Sequence, residues 1–314
     1  MSINRATTSY SRFSRKKQGN RIKDATEDKI LYSVINIILV MFVVLVAYPL
    51  IYVLSSSFSS PRAVISGKVI LFPVDFSLEG YKAVFSHKLI LSGYRNTVFY
   101  TVVGTLVNLF VTMTCAYPLS RRDFPMHKQF NWLFLFTMFF GGGLIPTYIL
   151  MTQIKFVNTV WVMLIPGALS VYNMFLARTF LYSSIPNDLL DAAQIDGCSD
   201  TSYFIRIILP LSKPIIAVLT LFYAVGHWNA YFSAMMYLND RKLFPLQLIL
   251  REILIASQID MTDFVDVEGM VAKQGLADLL KYSLIVVATV PILCVYPFIQ
   301  KYFIKGVMLG SIKG

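Results

Sequence analysis

Two stretches of this sequence bring together residue types that could do chemistry. The first, residues 178–213, carries Asp188, Asp191, Asp196 and Asp200 around a single Gly197. The second is Gly226-His227-Trp228-Asn229-Ala230-Tyr231-Phe232. Neither spells a hydrolytic or metal site. Cys115, Cys198 and Cys294 are far apart and match no Cys-x-x-Cys spacing, and His87, His127 and His227 are equally scattered. A disulfide framework and a zinc site are therefore not suggested. No Gly-x-x-x-x-Gly-Lys-Ser/Thr run exists to cradle nucleotide phosphates. The chemistry left to these stretches is recognition.

In the 178–213 stretch, Pro186 fits a first helical turn, where its missing N–H is not needed. Asp188 and Asp191 then lie near the positive end of that helix. Leu189, Leu190, Ala193 and Ile195 give it an apolar side, and Gly197 suits a left-handed cap. Ser199 or Asp200 is placed to cap a second helix running toward Leu209-Pro210. The expectation is two short helices joined by a glycine turn. Ala192 and Ala193 would let another surface approach closely, as a docking knob. An amphipathic helix lying on a bilayer fits the same residues.

The elements around these stretches must be membrane helices. Of 314 residues, 56% are hydrophobic and only 14% charged, with a mean hydropathy of +0.62. Soluble domains carry about 25% charged residues, so a soluble enzyme and intrinsic disorder are both excluded as classes. Six runs lack Asp, Glu, Lys and Arg: residues 30–54, 96–120, 129–154, 156–177, 214–238 and 282–300. Each is long enough to cross about 30 Å of hydrocarbon, and in hydrocarbon the backbone satisfies itself best as helix. The expected organisation is a basic tail (1–29), a six-helix membrane domain (30–302) with outer loops 55–95 and 239–281, and a short tail (303–314). Lys and Arg number 17 on the side holding both termini and 11 on the other, which makes the termini cytoplasmic. The net charge of +11 sits in gaps between apolar runs. No compact basic face for nucleic acid forms from it.

Pro49, Pro118, Gly141-Gly142-Gly143, Pro146, Pro166-Gly167, Pro291 and Pro297 all fall within the runs. They suit either close helix packing or hinges of a moving pore. The three glycines at 141–143 lie inside an apolar run and are not a phosphate loop. His227 and Asn229 are costly in a membrane unless they face water or a partner. With Trp228 and Tyr231 they could line a sugar-holding cavity, with Asn173 and Tyr172 as weaker candidates. Alternatively they bond to neighbouring helices and the aromatics form an interface belt. No carboxylate sits in any run, which argues against ion-driven transport and against a membrane enzyme with paired acids. The one histidine in a run has no evident partner.

The loop resembles a known pattern. Asp191-Ala192-Ala193, then Gly197, then Ile207, Leu209 and Pro210 is similar to the Glu-Ala-Ala loop of permease subunits of bacterial ABC importers. Every spacing matches. Asp191 replaces the usual Glu, keeping the charge with one methylene less reach, which leaves its ion-pair partner open. Phe72-Pro73, Leu78-Glu79-Gly80-Tyr81 and Arg95-Asn96-Thr97 resemble the MalG-like carbohydrate branch. Phe140 to Tyr148, reading Phe-Gly-Gly-Gly-Leu-Ile-Pro-Thr-Tyr, is similar to a narrower LplC/YtcP-like subgroup for complex oligosaccharides. The resemblance covers about residues 30–314. It implies an all-α, six-helix MetI-like fold (a type I importer permease) and no enzyme activity or cofactor in this chain. ATP and Mg would be held by two ATP-binding cassette subunits. The other implied partners are a second homologous permease, an extracytoplasmic sugar-binding protein and membrane lipid. The coupling residues it implies are Asp191, Ala192, Ala193, Asp196, Gly197, Ile207, Leu209 and Pro210.

Overall fold

The computed structural model describes residues 26–259, 275–294 and 297, and among these every regular element is helical. Of the expected basic tail 1–29, residues 1–25 lie outside the described residues and the rest already belongs to the first helix. The expected tail 303–314 and the acidic stretch around Asp263 also lie outside the described residues. The chain divides into two compact units, Met1–Leu50 and Ile51–Gly314. In the first, helix α1 (Thr26–Ser57) begins with Glu27 and Asp28 in its first turn, where acids complement the helix dipole. Its apolar side chains from Ile30 to Val46 are almost all exposed, as a lipid-facing helix requires.

In the second unit the chain leaves α1 through buried Ser55, Ser56, Ser57 and Ser59. Helix α2 (Pro61–Ile65) is capped by Ser60, whose hydroxyl accepts from the Ala63 amide, with Pro61 at its first turn. Helix α3 (Glu79–Ser86) follows. Helix α4 (Ile90–Ser120) is the hub, packed by elements before and after it. Its buried face reads Gly93, Thr97, Tyr100, Gly104, Asn108, Thr112 and Ala116. That is a stripe at three- and four-residue spacing, largely of small and polar residues. Inside a bilayer such a stripe lets backbones approach closely and hydrogen bonds cross between helices.

The run at 129–154, expected as one span, is two helices. They are α5 (His127–Phe139) and α6 (Leu144–Gln153), bent by 109°. Gly143 holds φ +84° at the bend, a region that disfavours side chains. The run at 156–177 is likewise divided, between α7 (Trp161–Leu164) and α8 (Val171–Ser184), at Pro166-Gly167. Next come α9 (Asp188–Ile195), α10 (Asp200–Tyr203), a π turn at Phe204–Ile208 and α11 (Leu209–Leu211). Helix α12 (Lys213–Trp228) then turns by 78° from the α10–α11 segment. Helices α13 (Phe232–Tyr237), α14 (Leu246–Ile259) and α15 (Gly275–Cys294) complete the described chain.

Among the described residues α1, α4 and α15 are long and apolar enough to cross a membrane, and five spans result if each bent pair counts as one. This is consistent with six helices. A further element departs from expectation. The segment 239–281, expected as an outer loop, contains α14, whose Leu246, Leu248, Ile249 and Leu250 are buried. Thr97 and Asn96 of α4 receive it: the Leu246 amide donates to Thr97 Oγ1 (2.7 Å), and Asn96 Nδ2 donates to the Lys242 and Phe244 carbonyls. Asn96 and Thr97 thus pin the start of α14 to α4.

Candidate functional site

Helix α9 ends in a closed backbone motif. Gly197 holds φ +71°, the Cys198 amide donates to the Ala193 carbonyl (2.9 Å), and the Gly197 amide donates to Gln194 (3.0 Å). These are the two bonds of a Schellman cap, which needs a left-handed residue at the glycine position. Ser199 restarts the chain with extended φ and ψ, its hydroxyl accepting from the Ser202 amide. The glycine turn between two helices therefore stands as the sequence suggests. Pro210, which lacks an amide proton, lies one residue beyond the five-residue π turn, after Leu209. A helix can absorb a missing hydrogen bond in this way.

The loop residues divide into two sets. Ala192, Asp191, Asp196 and Pro210 are exposed, and Ile195 is 87% exposed. Ala193 is only 6% exposed and packs in a cluster with Leu181, Tyr203 and Ile208, against which Ile207 and Leu209 also rest. This corrects the expectation of two outward-facing alanines. Ala192 faces out, Ala193 is an internal contact, and Ile195 leaves the apolar side assigned to it. The reason is geometric: on eight residues with apolar groups all round, the face that meets Tyr203 and Leu181 goes inward.

The loop is tied to the end of α4 by charge and by aromatic rings. Arg121, just past α4 and only 15% exposed, pairs with both Asp123 and Asp200. It also donates to the Tyr117 hydroxyl (3.2 Å). The Tyr117 ring lies 5.0 Å from Phe204 and 6.4 Å from Tyr203. The guanidinium hydrogen bond holds the Asp123 carboxyl below its ordinary range, and burial pushes the Tyr203 phenol up. Arg178 Nε donates to the Leu119 carbonyl (2.9 Å), fastening α8 to the same end. A push on α9 and α10 has a continuous packed route into α4 and α8.

The second site is a cavity of about 410 Å³ whose lining includes Asn108, Tyr223, His227, Ser233 and Tyr237. Asn108 organises it. Its Nδ2 donates to the Gly167 and Ala168 carbonyls (2.6 and 3.0 Å), and its Oδ1 lies 2.6 Å from His227 Nε2. With the amide already donating, Oδ1 accepts and His227 carries its proton on Nε2. The carbonyls freed by the Pro166-Gly167 break are thereby satisfied inside the membrane. Thr112 and Tyr223 share a further hydrogen bond (2.7 Å). A Cβ at Gly104 would collide with the His227 imidazole, so glycine there is what admits the ring.

Of the six residues named for a substrate path, Tyr172 among the weaker ones, only His227 lines this cavity. Trp228 turns away, 9% exposed, donating from Nε1 to the Ala288 carbonyl (3.0 Å). Asn229 ends α12 and donates to Val225. Tyr231 is half-exposed with the Arg251 guanidinium 5.8 Å from its ring centroid, and Asn173 is buried in α8. Sequence reasoning missed Asn108. An amide in mid-run, four residues after Gly104 and four before Thr112, was the available signal. Asn108→Leu is expected to cost about 1–3 kcal/mol by leaving buried polar groups unpaired. A drop of several degrees in the thermal midpoint of purified protein is the expected reading, and an unchanged midpoint counts against the network.

Comparison with known proteins agrees with this architecture. The family model described as "Binding-protein-dependent transport system inner membrane component" matches residues 22–309. The chain is 39% identical over 298 residues to the polygalacturonan/rhamnogalacturonan transport system permease protein YtcP of Bacillus subtilis (strain 168), covering 93% of this chain and 100% of that one. It is 41% identical over 267 residues to Protein LplC of the same organism, covering 85% and 89%. Among solved structures, a chain from a bacterial ABC transporter involved in import of the acidic polysaccharide alginate superposes with TM-score 0.79 and 32% identity. That match covers 89% of this chain and 99% of that one. A bent, hub-centred helical membrane fold, a glycine-turned two-helix loop and a match across nearly the whole length agree, and the chain belongs to the inner membrane components of binding-protein-dependent transport systems.

Proposed function

We propose that this chain is a permease subunit of an ATP-driven importer for oligosaccharides or polysaccharide fragments. The α9–α10 loop receives the motion of the ATPase subunits, and the membrane helices answer with alternating access. The observation that carries the reading is the loop itself: a rigid Schellman-turned pair of helices, braced on α4 by Arg121 and Asp200. Its outward residues Asp191, Ala192, Ile195 and Asp196 form the docking surface for a cassette subunit. Similarity to a permease named for polygalacturonan/rhamnogalacturonan transport and to a transporter of the acidic polysaccharide alginate supports an acidic polysaccharide fragment as cargo.

The chain is not itself an enzyme in this reading. Two cassette subunits bind ATP and Mg, a second homologous permease completes a heterodimeric pore, and an extracytoplasmic sugar-binding protein delivers substrate. The lining of the cavity at Asn108, Tyr223 and His227 includes hydroxyl and imidazole groups of the kind that hold sugar hydroxyls, with the Asn108 amide taken up in positioning the His227 ring. The loop faces the cytoplasm of a bacterial cell membrane, with both termini on that side. A single cysteine at position 9 or 311 of a cysteine-free background is expected to resist a membrane-impermeant thiol reagent on intact cells. One at position 263 is expected to label. Labelling at position 9 would overturn the orientation. Import itself is tested by ATP-dependent uptake of labelled galacturonan oligomers into proteoliposomes holding all subunits and the binding protein.

A further inference from the structure

Helices α5 and α8 enclose a cavity of about 300 Å³, separate from the one at Asn108 and His227. His127, Lys128, Asn131 and Trp132 of α5 and Phe175 and Arg178 in the middle of α8 line it. Two neighbouring arginines are occupied. Arg121 is paired with Asp123 and Asp200, and Arg122 lies over the Tyr182 ring at 5.2 Å. Among the described residues no carboxylate forms an ion pair with Lys128 or Arg178. Arg178 is held at the cavity by its Nε bond to Leu119. Its terminal nitrogens have no protein acceptor among the described residues.

Three further features describe what would fit. Lys128 stands immediately before the apolar run at 129–154 and Arg178 immediately after the one at 156–177, so both cations mark the boundary of the hydrocarbon. Trp132 is 71% exposed, and an indole with one wet and one apolar side favours that depth. Asn131 Oδ1 is buried with no hydrogen-bond partner. Below the charged rim the exposed α5 side chains Leu133, Phe136 and Phe139 are apolar.

We propose that this cavity binds the headgroup of an anionic phospholipid. Lys128 and Arg178 receive the phosphate diester, the Asn131 carbonyl accepts from a headgroup hydroxyl, and the acyl chains run along α5. Basic pockets between helices at the membrane boundary are suited to such headgroups. That the lipid belongs to the inner leaflet rests on the orientation proposed above. The site itself does not.

The test uses the importer purified with all its subunits, analysed by native mass spectrometry during titration with phosphatidylglycerol, phosphatidylcholine or inorganic phosphate. The expected result is retained phosphatidylglycerol. Binding should weaken about fivefold in Lys128→Gln and further in Lys128→Gln/Arg178→Gln. Phosphatidylcholine should bind more weakly, and millimolar phosphate should leave the lipid in place. Equal phosphatidylglycerol binding by wild type and Lys128→Gln overturns the proposal. So does equal binding of the two lipids. Displacement by free phosphate makes the site one for a soluble anion and rejects the lipid. Lys128 is exposed, so its single variant decides even if the double variant does not assemble. The readout is bound lipid rather than transport, so failure here is distinguishable from failure of the importer reading.

Discussion

Gly197→Val is expected to cut substrate uptake by between about 5- and 150-fold while leaving the chain in the membrane. The range converts about 1–3 kcal/mol of backbone strain at 1.4 kcal/mol per decade. The cost is conformational rather than steric. Gly197 holds φ +71°, and a Cβ built there meets nothing within 4 Å. A β-branched side chain at that φ strains the backbone whatever space surrounds it. To relieve it the chain must give up the cap bonds from Cys198 to Ala193 and from Gly197 to Gln194, and α9 then loses its fixed angle to α10. The exchange series separates cause from packing. Asn tolerates the left-handed region, so Gly197→Asn should restore much of the uptake, Ala less and Val least. ATP hydrolysis is expected to persist in the Val variant, uncoupled from uptake. Normal uptake by Gly197→Val would remove the turn from the mechanism.

How much was legible in the sequence follows from how local each feature is. The end of α9 and the turn after it were readable because Gly197 and Ser199 act within a few residues of themselves, whereas its start was read too early: Pro186, expected in the first turn, lies ahead of the Asn187 cap and outside Asp188–Ile195. The bends at 140–143 and 166–167 were signalled by glycine and proline but not their size, since a 109° turn depends on what packs against both arms. Helix α14 was taken for loop because Arg251 and Glu252 interrupt its apolar pattern. The structure leaves Arg251 exposed and buries Leu246 and Ile249 against α4. Asn108 was missed for a different reason. Its value lies in carbonyls 59 and 60 residues away and an imidazole 119 residues away, and no local pattern announces such partners. His227, singled out for its type alone, proved to be the other half of the same pair.

Ile195→Asp and Ala192→Leu are expected to strip the cassette subunit from the complex, whereas Ala193→Leu should act by destabilising the loop itself. The distinction comes from burial. Ile195 is 87% exposed on an eight-residue helix, so its side chain is free to enter a partner's groove. Ala192 is exposed beside it and its small side chain admits close approach. Residues of this kind at the centre of an interface cost about 2 kcal/mol or more when disrupted, a loss in affinity of about 30-fold. Ala193 already fills its place against Leu181 and Tyr203. Three more carbons there overpack an internal contact at about 1–3 kcal/mol, lowering the thermal midpoint of the chain alone. The measurement is co-purification of the cassette subunit, with thermal unfolding of the permease run in parallel. Bilayer contact predicts a different pattern, since Ala192→Leu adds apolar surface and would strengthen a helix lying on lipid. Retention of the cassette subunit by both Ile195→Asp and Ala192→Leu, with uptake unchanged, would end the docking role of this face. Loss in both, with an undisturbed thermal midpoint, would place the contact between subunits at the outward side of α9.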